Sequence, residues 1–145
     1  MQEFLGVDTS NYTTSLALSR DGEIVKNLKK LLDVKEGQRG LRQSDAVFAH
    51  TVNLPHLFDE MGRISPAAVG VSVSPRDAEG SYMPCFLAGI SCAAAVASTS
   101  GVPLYRFSHQ QGHIAASVWS AGRMELLDRP HLAWHLSGGT TELLY

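Results

Sequence analysis

The sequence predicts an α/β fold in which helices pack against a mixed sheet. Three observations carry this. The first strand-like segments are joined by tight turns, as antiparallel strands are, and the later ones alternate with helix-like segments, as parallel strands do. Hydrophobic residues make up 44% of the 145 residues, enough for one core. Charged residues make up 18%, too few for a disordered chain.

The elements follow in order. Residues 4–8 are a short apolar run ending in the carboxylate of Asp8. Residues 9–13 are polar and read as a turn, and residues 14–19 alternate as a half-buried strand does. Asp21-Gly22 is a strong signal for a two-residue hairpin, with 23–32 as the returning strand. Residues 35–41 carry charges and two glycines and read as a loop. Ser44 resembles a helix N-cap, Val47, Val52, Leu54, Leu57, Phe58 and Met61 follow at roughly helical spacing, and Gly62 supplies a stop. Pro55 is expected to kink or split this helix. Residues 67–73 read as a strand buried on both faces, 74–81 as the loop after it, and 83–98 as an Ala-rich buried helix. A short strand over 104–107 leads to a helix capped by Ser108 and running to about Trp119. Residues 130–136 read as a strand, Ser137-Gly138-Gly139 as a turn, and 140–145 as the start of its partner. The order β-β-β-α-β-α-β-α is that of one lobe of the ribonuclease H-like fold of actin and Hsp70. Proteins of that fold hold a nucleotide between two such lobes. Residues 1–129 are then an N-terminal lobe, and 130–145 the first hairpin of a second lobe.

Composition excludes some functions. Twelve Lys and Arg against fourteen Asp and Glu give a net charge of -2, so no global basic field points to nucleic acid. The longest apolar stretch, residues 85–96, is too short and too broken by Gly and Ser to span a bilayer. The N-terminus lacks a basic leader, and two cysteines, Cys85 and Cys92, make no disulfide scaffold. A cytoplasmic, reduced protein with no membrane partner is the expectation.

Two loops and one helix carry chemistry. Asp8, Thr9 and Ser10 place a carboxylate and hydroxyls at a strand end, where they can hold a phosphate or a metal-bound water. Ser137, Gly138, Gly139, Thr140 and Thr141 offer backbone N–H groups and hydroxyls to an anion. Singly, each loop reads as an ordinary hairpin turn; together, in this element order, they favour a phosphate site. His109 and His113 are four apart on a helix and share a face, so both imidazoles can chelate one transition metal. Two ligands leave the site open, and a surface or capping pair is the other reading. His131 and His135, on a predicted strand, would lie about 13 Å apart and are read as structural. His50 and His56 are read as hydrogen-bonding residues and the cysteines as inert thiols. The loop from Arg76 to Tyr82 lies where open α/β sheets place ligand contacts, or is simply solvated.

Residues 5–10 (Leu-Gly-Val-Asp-Thr-Ser), 108–114 (Ser-His-Gln-Gln-Gly-His-Ile) and 136–141 (Leu-Ser-Gly-Gly-Thr-Thr) resemble, in order and spacing, the glycoprotease family. Its main members are tRNA threonylcarbamoyladenosine transferases, once described as O-sialoglycoprotein endopeptidases. The match covers almost the whole chain and the N-terminal half of a typical member. It implies an actin-like two-lobe fold and transfer of a threonylcarbamoyl group from its adenylate to the N6 amine of a tRNA adenosine. It implies that His109 and His113 bind iron or zinc, and that Ser137, Gly138, Gly139 and Thr141 line the phosphate side of an ATP or adenylate site. Two departures stand out. Thr140 occupies a position that is usually His, and residues 74–84 replace a Gly-Pro-Gly loop. These mark a divergent paralogue, and the family's third metal ligand, an Asp of the second lobe, is expected to lie outside this chain. The alternative function is a non-catalytic scaffold that forms a homodimer, or a heterodimer with a paralogue, within the tRNA-modification machinery. A metallopeptidase ranks third, since no His-Glu-x-x-His is present.

Overall fold

The computed structural model describes residues 2–34, 40–136 and 141–145. Strands β1 (Glu3–Asp8), β2 (Thr13–Arg20) and β3 (Glu23–Leu31) form an antiparallel meander. Asp21 and Gly22 both have positive φ, 49° and 89°, the mirror-image turn that matches strand twist. Helix α1 (Gln43–Met61) leads to β4 (Pro66–Ser74), which runs parallel to β1. Helix α2 (Phe86–Ser100) then leads to β5 (Leu104–Ser108), parallel to β4. The sheet order is β3-β2-β1-β4-β5. Helix α3 (His109–Ser120) follows β5 directly, a 3-10 turn spans Met124–Asp128, and β6 (Ala133–Leu136) pairs with β7 (Thr141–Leu144) in a two-stranded sheet.

The core lies between one face of the sheet and helices α1 and α2. Leu5 and Val7, Leu16 and Leu18, and Val69 and Val71 alternate inward from three strands. They meet Leu54, Leu57 and Met61 of α1 and Ala88, Ala93 and Ala97 of α2. The small residues of α2 let it lie close to β4. The opposite face of the sheet carries small residues such as Gly6, Ala17 and Gly70, with Phe4, Tyr105 and Phe107 half-exposed. In β4, Val69 and Val71 on the helix face and Ala68 and Ser72 on the opposite face are all buried, as the apolar run predicts.

Four details differ from the sequence reading. Helix α1 begins one residue before Ser44, with Arg42 at the cap, and the side-chain Oε1 of Gln43 accepts from the Cys85 N–H at 3.1 Å. Pro55 sits inside α1 without ending it. Helix α2 starts at Phe86, and buried Cys85 precedes it. Strand β6 starts at Ala133, so His131 is not on it and the proposed strand pair with His135 does not form.

The turn after β1 is spliced into α2. The Thr9 hydroxyl donates to the Cys85 carbonyl at 2.9 Å and accepts from the Gly89 N–H at 3.1 Å. Those two groups stand four residues apart, so a side chain bridges one rung of the helix ladder. Glycine is required there, because a Cβ on residue 89 would lie 2.8 Å from the Thr9 hydroxyl oxygen. Gly89→Ala should therefore destabilise the chain by about 1–3 kcal/mol through overpacking, seen as a lowered urea midpoint. An unchanged midpoint would show that α2 does not bear on Thr9.

Candidate functional site

Three parallel neighbours, β1, β4 and β5, end at the same edge of the sheet, where open α/β sheets place ligands. Asp8 closes β1. Its Oδ1 accepts from the Ser10 N–H at 2.8 Å and from the Ser10 hydroxyl at 2.5 Å. Its Oδ2 accepts from the Ser72 hydroxyl of β4 and from Nδ1–H of His109 at 3.0 Å. Burial alone would raise the carboxyl, but the bonds from His109, Ser10 and Ser72 together outweigh it and hold the pKa at about 2. Asp8 is therefore an anion that draws three chain segments to one point.

His109 opens α3 in the residue after β5. A capping box fixes it: the Ser108 hydroxyl accepts from the Gln111 N–H at 3.1 Å, and the Gln111 side-chain Oε1 accepts from the Ser108 N–H at 2.8 Å. With its proton on Nδ1, directed at Asp8, His109 turns the lone pair of Nε2 outward. That lone pair meets Nε2 of His113, one helical turn on, at 2.8 Å. Burial, with His109 and His135 nearby, pushes His113 below the ordinary histidine range and favours its neutral ring. Two imidazole nitrogens facing each other, one ring backed by a carboxylate, suit the iron or zinc that the resemblance implies. Among the described residues, no three His, Cys, Asp or Glu side chains converge as a metal site. The pair opens onto a groove of about 550 Å³ between α3 and the exposed sheet face, bordered by Gly70, Phe107 and Gly112.

The other predicted site residues divide. Ser10 is buried, and its hydroxyl oxygen also lies 2.9 Å from His109 Nδ1, so it belongs to the Asp8 knot. Thr9 is fully buried and gives its hydroxyl to α2 rather than to the cleft, a correction to the sequence reading. Ser137, Gly138, Gly139 and Thr140 lie outside the described residues, and Thr141 begins β7. His50 is fully buried; its Nδ1 accepts from the Thr14 hydroxyl at 2.8 Å and its Nε2–H donates to the Asn11 carbonyl at 3.2 Å. Burial lowers the His50 pKa, so it holds the polar turn to α1 as a neutral ring. Burial also raises both cysteine thiols, in keeping with inert groups.

Sequence reasoning missed Ser72, counted inside an apolar run, although a serine in such a run is itself a signal. It also missed the cluster on the hairpin. Glu142 accepts from the Gln110 amide at 2.7 Å and pairs with Arg76 at 2.9 Å, and the His135 ring lies 5.7 Å from that of His113.

The chain is 30% identical over 144 residues to a tRNA N6-adenosine threonylcarbamoyltransferase of Thermosipho africanus and 31% identical over 147 residues to one of Thermus thermophilus. The chain is a relative of these transferases. The alignments cover 97% and 96% of the chain and 42% of each relative, so the chain spans about two fifths of their length. A relative of the same description in Enterococcus faecalis is 30% identical over 148 residues. No family model matches. Among solved structures, YeaZ from Pseudomonas aeruginosa superposes with a TM-score of 0.58 at 16% identity, covering all of this chain and 65% of that one. An uncharacterized protein with similarity to peptidase YeaZ gives 0.53 at 17%. The fold is that of a ribonuclease H-like, actin-like lobe, as the element order predicts. No helix among the described residues is long and apolar enough to cross a membrane.

Stability should fall in two steps on acidification. The ordinary His50 and Asp8 values are 6.5 and 3.8, and both are lowered in the folded chain. The unfolded chain therefore binds protons first, and the stability these groups contribute is present above those values and lost as pH falls below them. His50 and His113, both lowered from 6.5, give the first loss, starting near pH 6.5. Asp8 gives the second, between about pH 3.8 and 2, worth about 2 kcal/mol. Urea midpoints from pH 8 to about 2 measure both, and the first step should shrink in His50→Gln. A first step of equal size in that variant would assign it to another group.

Proposed function

We propose that this chain is the metal- and phosphate-facing lobe of a threonylcarbamoyl-transfer protein acting on tRNA. One observation carries the reading: the carboxylate at the end of β1 orients His109, and His109 meets His113 at the edge where three strands end. His109 and His113 would hold the iron or zinc ion. When bound, that ion would supply a Lewis acid for a carbonyl or phosphoryl oxygen. Asp8 keeps the His109 proton on Nδ1 and thereby keeps Nε2 available. Ser137, Gly138, Gly139 and Thr141 would face the phosphates of ATP or of the threonylcarbamoyl-adenylate, and the β6–β7 hairpin would open the second lobe. In the reaction, the N6 amine of the adenosine attacks the carbamoyl carbon and AMP leaves. The chain spans about two fifths of the relatives' length, and the role assigned to this lobe is binding.

Zinc titration by calorimetry tests the reading. The chain should bind one ion, and His113→Ala should weaken binding at least tenfold, because one imidazole is a poor chelator. Equal affinity in the two would remove the pair from any metal role.

One observation favours a second reading, a scaffold that pairs with another copy or a paralogue. Leu57 and Met61 of α1 are buried, but Phe48 is 72% exposed and Val52 45%, beside Leu31 of β3 at 72%. These apolar groups flank one shallow depression. Light scattering should then report a dimer that Phe48→Glu returns to monomer. A single-chain mass up to about 100 μM, well above the micromolar range of modest interfaces, excludes it.

A further inference from the structure

The loop after β4 and the first turn of α3 hold the β6–β7 hairpin between them. Arg76 stands two residues past the end of β4, and Gln110 two residues past the end of β5. The Gln110 N–H donates to the Pro75 carbonyl at 3.1 Å, which ties the two strand ends together. The Ser74 hydroxyl donates to the Arg76 carbonyl at 2.8 Å, and the Arg76 N–H donates to the Ser81 hydroxyl at 3.0 Å, so the loop backbone is fixed locally. From this base two side chains reach the hairpin. The Gln110 amide donates to Glu142 Oε2 at 2.7 Å and to His135 Nδ1 at 3.3 Å. Arg76 pairs with Glu142 Oε1 at 2.9 Å. His135 and Glu142 are cross-strand partners, so one amide grips both strands at one register position.

The rest of the hairpin's hold on the lobe is slight. A two-stranded sheet of four residues a strand has little stability of its own. Its inward face carries Ala133, His135, Glu142 and Leu144, all half-buried, and its outward face carries Trp134, Leu136, Leu143 and Tyr145, all exposed. The larger apolar groups thus point mostly away from the lobe, and the inward face is polar at its centre. A gap of about 240 Å³ separates α3 from the start of the hairpin, bordered by Ile114, Val118 and Leu132. A lone exposed ion pair would contribute little. Glu142, however, is only 27% exposed and gives each carboxylate oxygen to a different donor, so the two bonds act as one network.

We propose that Gln110 and Arg76 form a clamp on Glu142 and His135 that docks the β6–β7 hairpin at the sheet edge, and that this clamp, rather than apolar packing, sets where the hairpin stands. The loop after β4 thereby has its partner within the chain: the Arg76 guanidinium is spent on a carboxylate of β7. None of these bonds is made by His109 or His113, so the clamp is independent of any metal. Where the hairpin opens a second lobe, a consequence that rests on the function proposed above, the clamp fixes the direction in which that lobe leaves the first.

Amide hydrogen exchange, followed residue by residue by NMR on the full chain, tests this. In the wild-type chain the amides of Ala133–Leu136 and Thr141–Leu144 should be protected. Gln110→Glu turns the donor into an acceptor facing Glu142, and Arg76→Ala removes the cation. Each should lower hairpin protection by about tenfold or more, the effect of losing a hydrogen bond to a charged group, and leave β1 and β4 as they are. Adding Glu142→Gln to Gln110→Glu exchanges donor and acceptor across the contact and should restore most of the protection. Hairpin amides that exchange freely in the wild-type chain, or that keep their protection in both single variants, refute the clamp. So does an equal loss in β1 and β4, which would mark a general destabilisation. So does a double variant no better protected than Gln110→Glu. Failure of the zinc titration would leave all these outcomes unchanged.

Discussion

The ionised Asp8 carboxylate organises this lobe. A carboxylate at the end of a buried strand must gain hydrogen bonds to remain charged. Here the donors come from its own turn, from β4 and from the start of α3. One charge therefore fixes the mutual position of three chain segments far apart in sequence. Because Nδ1 of His109 is committed to Asp8, the outward chemistry of that ring is decided at the sheet edge. The outward face of α3 at His109 is a product of strand pairing and of one well hydrogen-bonded anion.

The turn between β1 and β2 is held from its other side as well. Thr9 is anchored in α2, and Thr14 and the Asn11 carbonyl are anchored to His50 of α1, with the Asn53 amide donating to Thr14 at 3.1 Å. No buried side-chain polar atom among the described residues lacks a partner. A polar turn enclosed by two helices survives because every donor and acceptor finds its mate, at the cost of very specific residue choices.

Much of this was legible in the sequence, and the parts that were not share a cause. Alternation and the Asp21-Gly22 turn defined the meander, and Ser108 marked the start of α3. Asp8, Ser10, His109 and His113 stood out as residues of the right chemistry at element ends. Thr9 looked identical to Ser10 on paper, and only the approach of α2 separates an anchor from a residue of the Asp8 knot. His135 was weighed against His131, its neighbour in spacing. Its true neighbour, His113, is set by where the hairpin lands, which local periodicity does not encode. Helix α1 overran its expected start because Gln43 serves a contact with a residue 42 positions away.

The Thr9 splice makes the first turn and helix α2 a single mechanical unit. The hydroxyl replaces a direct link between Cys85 and Gly89, so it cannot move without opening the helix at that rung. Thr9 is the covalent neighbour of Asp8. The position of that carboxylate is therefore tied to α2, and α2 lies against both β4 and α1. The sheet edge is thus joined to the far side of the lobe through one threonine, with the helix acting as its lever arm.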